Sequence, residues 1–130
     1  MSEFSKALTV SSSGLRAQAE RLRHLSENIS NADTPGYRRK MISFETAFSA
    51  GSGVAEVKPS RVRLDQSELE RIHDPTHPLA DDTGQYEGSN VDLLIELADA
   101  REAQRSYEAN LKMFEQTRKM SSGLMELLRR

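Results

Sequence analysis

Five potential metal ligands fall within ten residues in the middle of the chain: His73, Asp74, His77, Asp81 and Asp82. Imidazole and carboxylate groups bind divalent metals, and several of them around one ion are typical of metal-dependent hydrolases. The same segment contains Pro75 and Pro78, which exclude a helix that would direct two histidines at one ion. We therefore predict a solvated loop without a metal or other cofactor. A small metal-dependent hydrolase that uses His73 and His77 is the alternative.

The sequence contains no other pattern typical of catalysis. Gly51-Ser52-Gly53 lacks the lysine and the strand–loop–helix context of a phosphate-binding loop. Serine, histidine and aspartate are all present, but none lies in a nucleophile elbow or a comparable placement. We predict that the chain is not an enzyme and has no catalytic residue.

The charge and composition exclude several classes of partner. The 130 residues include 18 basic and 20 acidic side chains, and no region has the clustered positive charge that binds a phosphate backbone. Cysteine is absent, which excludes disulfides and thiolate metal sites. No apolar run has the length of a membrane span or of a secretory signal. We expect no nucleic acid, no direct membrane insertion and no cleavable signal peptide, so the chain stays in the cytoplasm or leaves it by another route.

The apolar content is low. Leu, Ile, Val and Phe make up about a fifth of the chain, close to the level typical of disordered proteins. A single molecule therefore buries little apolar surface, and we expect its ordered state to depend on association.

Residues 1–34 are predicted to form a helix, because apolar residues recur at alternating steps of four and three, the spacing of a coiled coil. This seam runs through Phe4, Leu8, Ser11, Leu15, Gln18, Leu22, Leu25, Ile29 and Ala32. Ser11-Ser12-Ser13-Gly14 is a poor helix former. We therefore expect the helix to depend on packing against a second helix.

Residues 91–130 are predicted to supply that second helix. Ser89-Asn90-Val91-Asp92 has the form of an N-terminal cap. The same spacing then continues through Leu93, Leu97, Ala100, Gln104, Tyr107, Leu111, Phe114, Arg118, Ser121, Met125 and Leu128. The polar Gln104 and Arg118 either are local imperfections of this seam or fix its register against a partner chain.

Residues 35–90 have a different pattern. Ile42, Phe44, Thr46 and Phe48 alternate, and residues 54–58 and 61–65 resemble two short strands around Pro59-Ser60. We predict a small irregular β and loop segment that is not stable alone. The predicted fold class is therefore mainly α, with long N- and C-terminal helices that pair as a coiled coil and a small β/loop segment between them.

The sequence NISNADTPGYRR, residues 28–39, ends the first helix. Pro35 lacks a backbone donor and pushes Thr34 toward an extended conformation, so the helix ends at or before Thr34. Asp33-Thr34-Pro35-Gly36 indicates a type II turn, in which glycine accepts the positive φ. Asn28 and Asn31 are not needed to stop a helix, and their amides can bond the backbone locally or reach a neighbouring element.

At this motif the chain resembles the axial proteins of the bacterial flagellum, the family of rod, hook and hook-associated proteins. Their pattern Asn-x-x-Asn-x-x-Thr-x-Gly-Tyr is matched by Asn28, Asn31, Thr34, Gly36 and Tyr37. Residues 77–114 are similar to the proximal rod members of the family. The matching pieces are Pro78-Leu79-Ala80-Asp81, Gly84, Asn90-Val91-Asp92, Glu96 and Arg105-Ser106-Tyr107-Glu108-Ala109-Asn110. This block and the short length favour a proximal rod protein over the longer distal rod and hook proteins.

The resemblance implies a structural subunit of the flagellar basal body, in the rod that crosses the periplasm and transmits torque from motor to hook. It implies polymerisation through the terminal helices, with contacts to further copies, to other proximal and distal rod subunits and to the MS-ring junction protein. It also implies export through the flagellar type III apparatus, without a cleavable signal. The implied assembly motif is Asn28, Asn31, Thr34, Pro35, Gly36 and Tyr37. The implied helix seam is Leu8, Leu15, Leu22, Leu25, Ile29, Leu93, Leu97, Tyr107, Leu111 and Phe114.

The heptads alone also fit a cytoplasmic coiled-coil adaptor or an export chaperone. The location of the protein separates these functions, because a rod subunit is found in basal bodies and an adaptor or chaperone in the cytosol.

Overall fold

The computed structural model describes residues 2–51 and 53–129. Along the chain, six short strands lie between two long helices. The helices are α1 (Glu3–Ser30) and α2 (Leu93–Leu128). The strands are β1 (Lys40–Met41), β2 (Phe44–Ser49), β3 (Val54–Pro59), β4 (Arg63–Leu64), β5 (Arg71–His73) and β6 (Gln85–Glu87). This architecture confirms the predicted fold class.

Both helices begin at side-chain caps. The Ser2 hydroxyl accepts a hydrogen bond from the Ser5 N–H at 3.1 Å, and the Asp92 carboxylate accepts one from the Leu94 N–H at 3.0 Å. Each cap satisfies a backbone donor that the first helical turn leaves without a partner. The cap of α2 is therefore Asp92, whereas the sequence pattern predicts Asp92 in the first turn of a helix capped by Ser89.

The turn that follows α1 lies one residue later than predicted. The Tyr37 N–H donates to the Thr34 carbonyl at 3.2 Å, so the turn comprises residues 34–37, with Pro35 second and Gly36 third. Gly36 has a φ of 76°, as the third position of a type II turn requires.

The two helices are antiparallel and pack closely. A Cβ atom placed on Gly14 would lie 3.1 Å from the Asn110 side chain, and near the other end of α1 the Asn28 amide lies 3.3 Å from the Glu96 carboxylate. Because the backbones approach so closely, glycine and alanine fit the contact better than large residues do. In the described part of the chain the buried apolar residues are Ala17, Leu25 and Ala103.

The face of α2 that packs on α1 differs from the predicted seam. Its buried residues are small or polar, and its centre runs through Glu96, Ala103 and Asn110. Seven predicted seam residues of α2 are exposed: Leu93, Leu97, Gln104, Leu111, Arg118, Met125 and Leu128. These residues do not cover α1 within one molecule, because the stripe of small residues permits a closer approach of the helices than a leucine stripe would. Their role in contacts between molecules stays a prediction.

The other predicted seam residues are at least partly covered. Tyr107 and Phe114 of α2 are half-buried. On α1, Leu25 is buried, and the half-buried members are Leu8, Leu15, Leu22 and Ile29.

The strands form three separate two-stranded antiparallel sheets, β1 with β4, β2 with β3 and β5 with β6. The strand at 54–59 pairs with Phe44–Ser49. Of residues 61–65, only Arg63 and Leu64 form a strand, and it pairs with β1. Gly53, with a φ of 67°, favours the hairpin between β2 and β3. This hairpin packs on α1, where the Ser13 hydroxyl accepts a hydrogen bond from the Val57 N–H at 3.0 Å.

We expect Ala17→Leu to destabilise the helix pair by about 1–3 kcal/mol, because the larger side chain has no space between the helices. The measurement is urea unfolding followed by helix content. Ala19→Leu, on the exposed face of the same helix, is the matched control. Equal midpoints for the two variants would contradict the close packing at Ala17.

Candidate functional site

A polar cluster joins the end of α1, the turn that follows it and the start of α2. We call it the polar junction and define it by its six residues: Asn28, Tyr37, Arg39, Lys40, Asn90 and Glu96. Two of its members belong to the predicted assembly motif, and four were not among the predicted site residues.

Asn28 lies at the centre of the junction, with no exposed surface. Its side-chain nitrogen donates to the Lys40 carbonyl at 2.9 Å and to the Glu96 carboxylate at 3.3 Å. Its side-chain oxygen accepts from the Tyr37 hydroxyl at 2.8 Å and from the Lys40 N–H at 2.9 Å. Both donors and both acceptor sites of this amide are thus used. An amide in this geometry holds the chain after the turn against the last turn of α1.

Glu96 is a carboxylate on α2 that is also fully buried. Arg39 compensates its charge, because the Nε atom of Arg39 donates to Glu96, and a terminal guanidinium nitrogen donates to Asp99 at 3.2 Å. A buried charge is tolerated when it is paired and hydrogen-bonded in this way. The Arg39 guanidinium therefore attaches the segment after the turn to the first turns of α2.

Lys40 completes the junction on the α1 side. Its ammonium group donates to the Glu27 carboxylate at 2.6 Å. This hydrogen bond lowers the pKa of Glu27 and raises the pKa of Lys40. Tyr37 lies close by, and burial raises the pKa of its hydroxyl, which therefore stays protonated and donates to Asn28 at neutral pH.

Asn90 connects the junction to the segment between β4 and β5. Its side-chain oxygen accepts from the Arg39 N–H at 2.7 Å, and its nitrogen donates to the Asp65 carbonyl at 2.9 Å. Ser89, next to it, donates from its hydroxyl to the Ala32 carbonyl. The residues just before α2 are thereby fixed to the residues just after α1.

The other motif residues shape the turn. The Asn31 amide donates to the Glu27 carbonyl at 2.9 Å, and its oxygen accepts from the Thr34 hydroxyl at 3.1 Å. The Gly36 N–H donates to the Gly88 carbonyl at 3.0 Å, which ties the turn to the end of β6. The structure thus brings the motif together as one site, in which Asn28 and Tyr37 reach across to other elements while Asn31, Thr34, Pro35 and Gly36 set the path of the chain.

The sequence contains only a weak signal for the four residues of the polar junction that we did not predict. Asn90 and Glu96 lie in the block that resembles proximal rod proteins, but no pattern showed that they would meet Asn28 and Arg39. A single sequence does not distinguish a buried ion pair from the many charged residues on the surface.

The histidine segment is a largely exposed loop between β5 and β6: His73 ends β5, and the residues from Asp74 to Asp82 form turns. The Asp74 carboxylate accepts from the Thr76 N–H at 3.2 Å and its hydroxyl at 2.7 Å, and Asp81 makes the same pair of bonds with Thr83. These hydroxyl bonds lower the pKa of both aspartates. The carboxylates thus serve to form turns.

Each of the two histidines contacts a residue of the same segment or of β6. The His77 ring accepts from the Leu79 N–H at 3.1 Å and stacks on Tyr86 with the ring centroids 3.9 Å apart. His73 pairs with Gln85 across β5 and β6. Among residues 2–51 and 53–129, no group of three or more histidine and acidic side chains is arranged to hold a metal ion. The same residues include no helix with the length and apolarity of a membrane span.

We expect Asn28→Asp to destabilise the chain by about 3–5 kcal/mol, because it removes a donor from Glu96 and buries a second negative charge beside it. Asn31→Asp is the matched control, since this amide lies at the edge of the site, and we expect it to cost about 1 kcal/mol. Urea unfolding of the two variants measures the difference. Similar losses would contradict the central position of Asn28.

The Glu27–Lys40 pair predicts a loss of stability in acid. A carboxylate with a lowered pKa in the folded state stabilises the fold above its unfolded pKa, and this contribution is lost as the pH falls through the folded pKa. We expect helix content to fall below the ordinary glutamate pKa of 4.5, and Glu27→Gln to reduce this acid dependence. Exposed Glu45→Gln serves as the control, and acid profiles of Glu27→Gln that match the wild type would contradict the role of the pair.

Two flagellar families match separate parts of the chain. The family described as "Flagella basal body rod protein" matches residues 8–38, which cover most of α1, the turn and Tyr37. The family described as "Flagellar basal body rod FlgEFG protein C-terminal" matches residues 83–127, which cover β6 and nearly all of α2. Of the polar junction, Asn28 and Tyr37 lie in the first segment and Asn90 and Glu96 in the second, whereas Arg39 and Lys40 lie just after the first.

Curated relatives match almost the entire chain. The flagellar basal-body rod protein FlgC of Agrobacterium fabrum is 43% identical, with 99% of this chain and 98% of the relative covered. The FlgC proteins of Bacillus subtilis and Salmonella typhimurium are 36% and 31% identical, and they cover 93% and 85% of this chain. The chain therefore belongs to the FlgC family of flagellar basal-body rod proteins.

Proposed function

We propose that this chain is a structural subunit of the proximal rod, and that it polymerises through its terminal helices to transmit torque from the motor to the hook. One observation carries the proposal beyond family membership: most of the large apolar side chains of α2 are on its surface. The exposed members are Leu93, Leu94, Ile95, Leu97, Leu111, Met113, Met120, Leu124, Met125, Leu127 and Leu128. A surface of this kind marks a contact with other proteins.

The small core of the single molecule supports the same conclusion. Only three apolar residues of the described chain are buried, and two of them are alanines. Burial of this extent does not offset the conformational entropy of two long helices. The helices therefore gain stability when neighbouring subunits cover them, and they become fully ordered as the subunit docks.

The proposed partners are copies of this chain, other proximal and distal rod subunits and the MS-ring junction protein. Export through the flagellar type III apparatus precedes assembly, and helices that are weak before docking suit passage through a narrow channel as an extended chain. The subunit performs no reaction in this proposal. Contacts between different surfaces of successive subunits build a rod, because a rotation that does not close gives an open helix.

We expect Leu111→Asp to prevent incorporation of the chain into rods. Leu111 is exposed in the single molecule, so the added charge does not enter the α1–α2 contact but would be buried between subunits, where it costs several kcal/mol. The neighbouring Lys112→Asp is the matched control. Swimming in soft agar and the presence of the chain in purified basal bodies are the two measurements.

Leu25→Asp tests the same seam from the other side, where the residue is already buried in the single molecule. We expect loss of both folding and incorporation. Normal swimming of the Leu25→Asp and Leu111→Asp strains would exclude the helix seam as the assembly surface. Absence of the wild-type chain from basal bodies would contradict the proposed function itself.

A further inference from the structure

A cleft of about 230 Å³ lies beside the polar junction. It is lined by residues of α1, by β1 and the residues that flank it, by Arg63 of β4 and by Asp99 of α2. We call it the junction cleft. Four of its lining side chains are cations, whereas Asp99 is its one lining carboxylate and is already paired with Arg39.

His24 lies at the wall of this cleft, on α1, with 6% of its surface exposed. Neither ring nitrogen has a hydrogen-bond partner within the described residues. The nearest carboxylates, Glu20 and Glu27, lie 3.8 and 4.0 Å from the ring nitrogens. These carboxylates pair with other cations, Arg23 and Lys40. Because imidazole has at least one N–H in either protonation state, the ring has a donor for a group that enters the cleft.

Two arginines of the cleft also have donors to spare. Arg63 is exposed, and its guanidinium has neither a hydrogen bond nor an ion pair within the described part of the chain. Arg21 approaches one carboxylate, Glu102, at 3.6 Å, which is longer than a hydrogen bond. Guanidinium and carboxylate groups form strong charge-assisted hydrogen bonds. The cleft is therefore suited to one additional carboxylate.

Another part of the cleft wall is apolar. Leu25 is buried there, and Met41 and Ile42 are half-buried. A ligand with an apolar side chain close to a carboxylate would satisfy both parts of the wall.

The loop between β5 and β6 presents this combination at residues 78–82. Leu79 is 63% exposed. Asp82 is exposed and has no cation within ion-pair distance among the described residues, whereas its neighbour Asp81 is paired with Arg71. This segment overlaps the block that resembles proximal rod proteins, and the polar junction does not use it.

The loop does not fill the cleft of its own molecule. Leu79 lines a different cavity, together with Pro35 and Tyr86, and no residue of the loop lines the junction cleft. Residues 65–92 contain eight acidic residues and one basic residue, whereas the rest of the chain contains 17 basic and 12 acidic residues. Two copies therefore attract each other when this acidic segment of one copy meets a different part of the next.

We propose that the loop at residues 78–82 of one copy enters the junction cleft of a second copy. Leu79 packs on the apolar part of the wall, and the Asp82 carboxylate accepts hydrogen bonds from Arg63 and His24. This inference rests on the proposed polymerisation and specifies one contact of the polymer. The contact joins two different surfaces, so it repeats from copy to copy.

Cysteine cross-linking tests the contact, because the natural chain has no cysteine. One strain makes two versions of the full chain, Arg63→Cys and Asp82→Cys, so that a disulfide between these positions joins two copies. In rods isolated from this strain we expect oxidation to give a covalent dimer, since facing residues come within disulfide range. The matched control combines Arg63→Cys with Glu87→Cys, an exposed carboxylate of β6, and we expect it to give no dimer.

The outcomes separate this inference from the proposed function. Rods that contain both versions but give no dimer, or give as much dimer with the control, overturn the contact and leave the rod assignment intact. Absence of the wild-type chain from rods overturns the rod assignment instead.

Charge exchange decides the question if the cysteine versions do not enter rods. We expect Arg63→Asp and Asp82→Arg each to lower incorporation more than about tenfold, because like charges then face each other. The chain with both changes is expected to recover incorporation, and failure to recover it overturns the contact.

Substitution of His24 tests the buried donor. We expect His24→Leu to lower incorporation without lowering the urea midpoint of the single molecule, because an apolar group replaces a buried donor that has no partner there. His24→Gln keeps a donor and is expected to retain more incorporation. Equal incorporation of the two variants would show that the ring does not bind Asp82, and would overturn this hydrogen bond.

Discussion

A carboxylate without exposed surface, Glu96, fixes how the two helices meet. A buried charge requires a partner of opposite charge and further hydrogen bonds, and here Arg39 and Asn28 supply them. These partners lie on the segment after the turn and on the last turn of α1, so one side chain joins three segments that are distant in sequence. Displacement of α2 by a single residue would rotate Glu96 away from both partners. The register of the helix pair is therefore determined at the polar junction.

This register decides which surface of α2 remains free. Because Glu96 faces α1, the small residues that follow it at helical spacing also face α1, and the neighbouring leucines point outward. An ion pair of this kind is not a source of high stability compared with apolar residues of the same size. It does select one arrangement among several that an apolar contact would permit. Every copy of a rod subunit must present the same surface to its neighbours, and the polar junction meets this requirement because it fixes which side of α2 faces α1.

The elements and the turn could be predicted from the sequence because they depend on local features. Heptad spacing identified both helices, and Pro35 with Gly36 identified the turn to within one residue. The contact face of α2 could not be predicted, because the leucine stripe and the small-residue stripe lie one position apart and both have heptad spacing. The two strands predicted at 54–58 and 61–65 exist in part, but their partners, β2 and β1, could not be read from a single sequence. The Asp-x-Thr spacing at Asp74 and again at Asp81 was a readable signal for turns in the histidine segment, and it explains the carboxylates there without a metal.

A subunit that conducts torque must resist rotation of one helix against the other. Apolar contacts are not directional, and two smooth helices can roll on each other at little cost. Hydrogen bonds weaken steeply when their angle changes, and the four bonds of Asn28 point to three different segments. The junction also lies at one end of the helix pair, where Asn90 connects it to the segment between the strands. Rotation of either helix would therefore break directional bonds at the polar junction, so the junction resists a motion that the apolar contact along the helices permits.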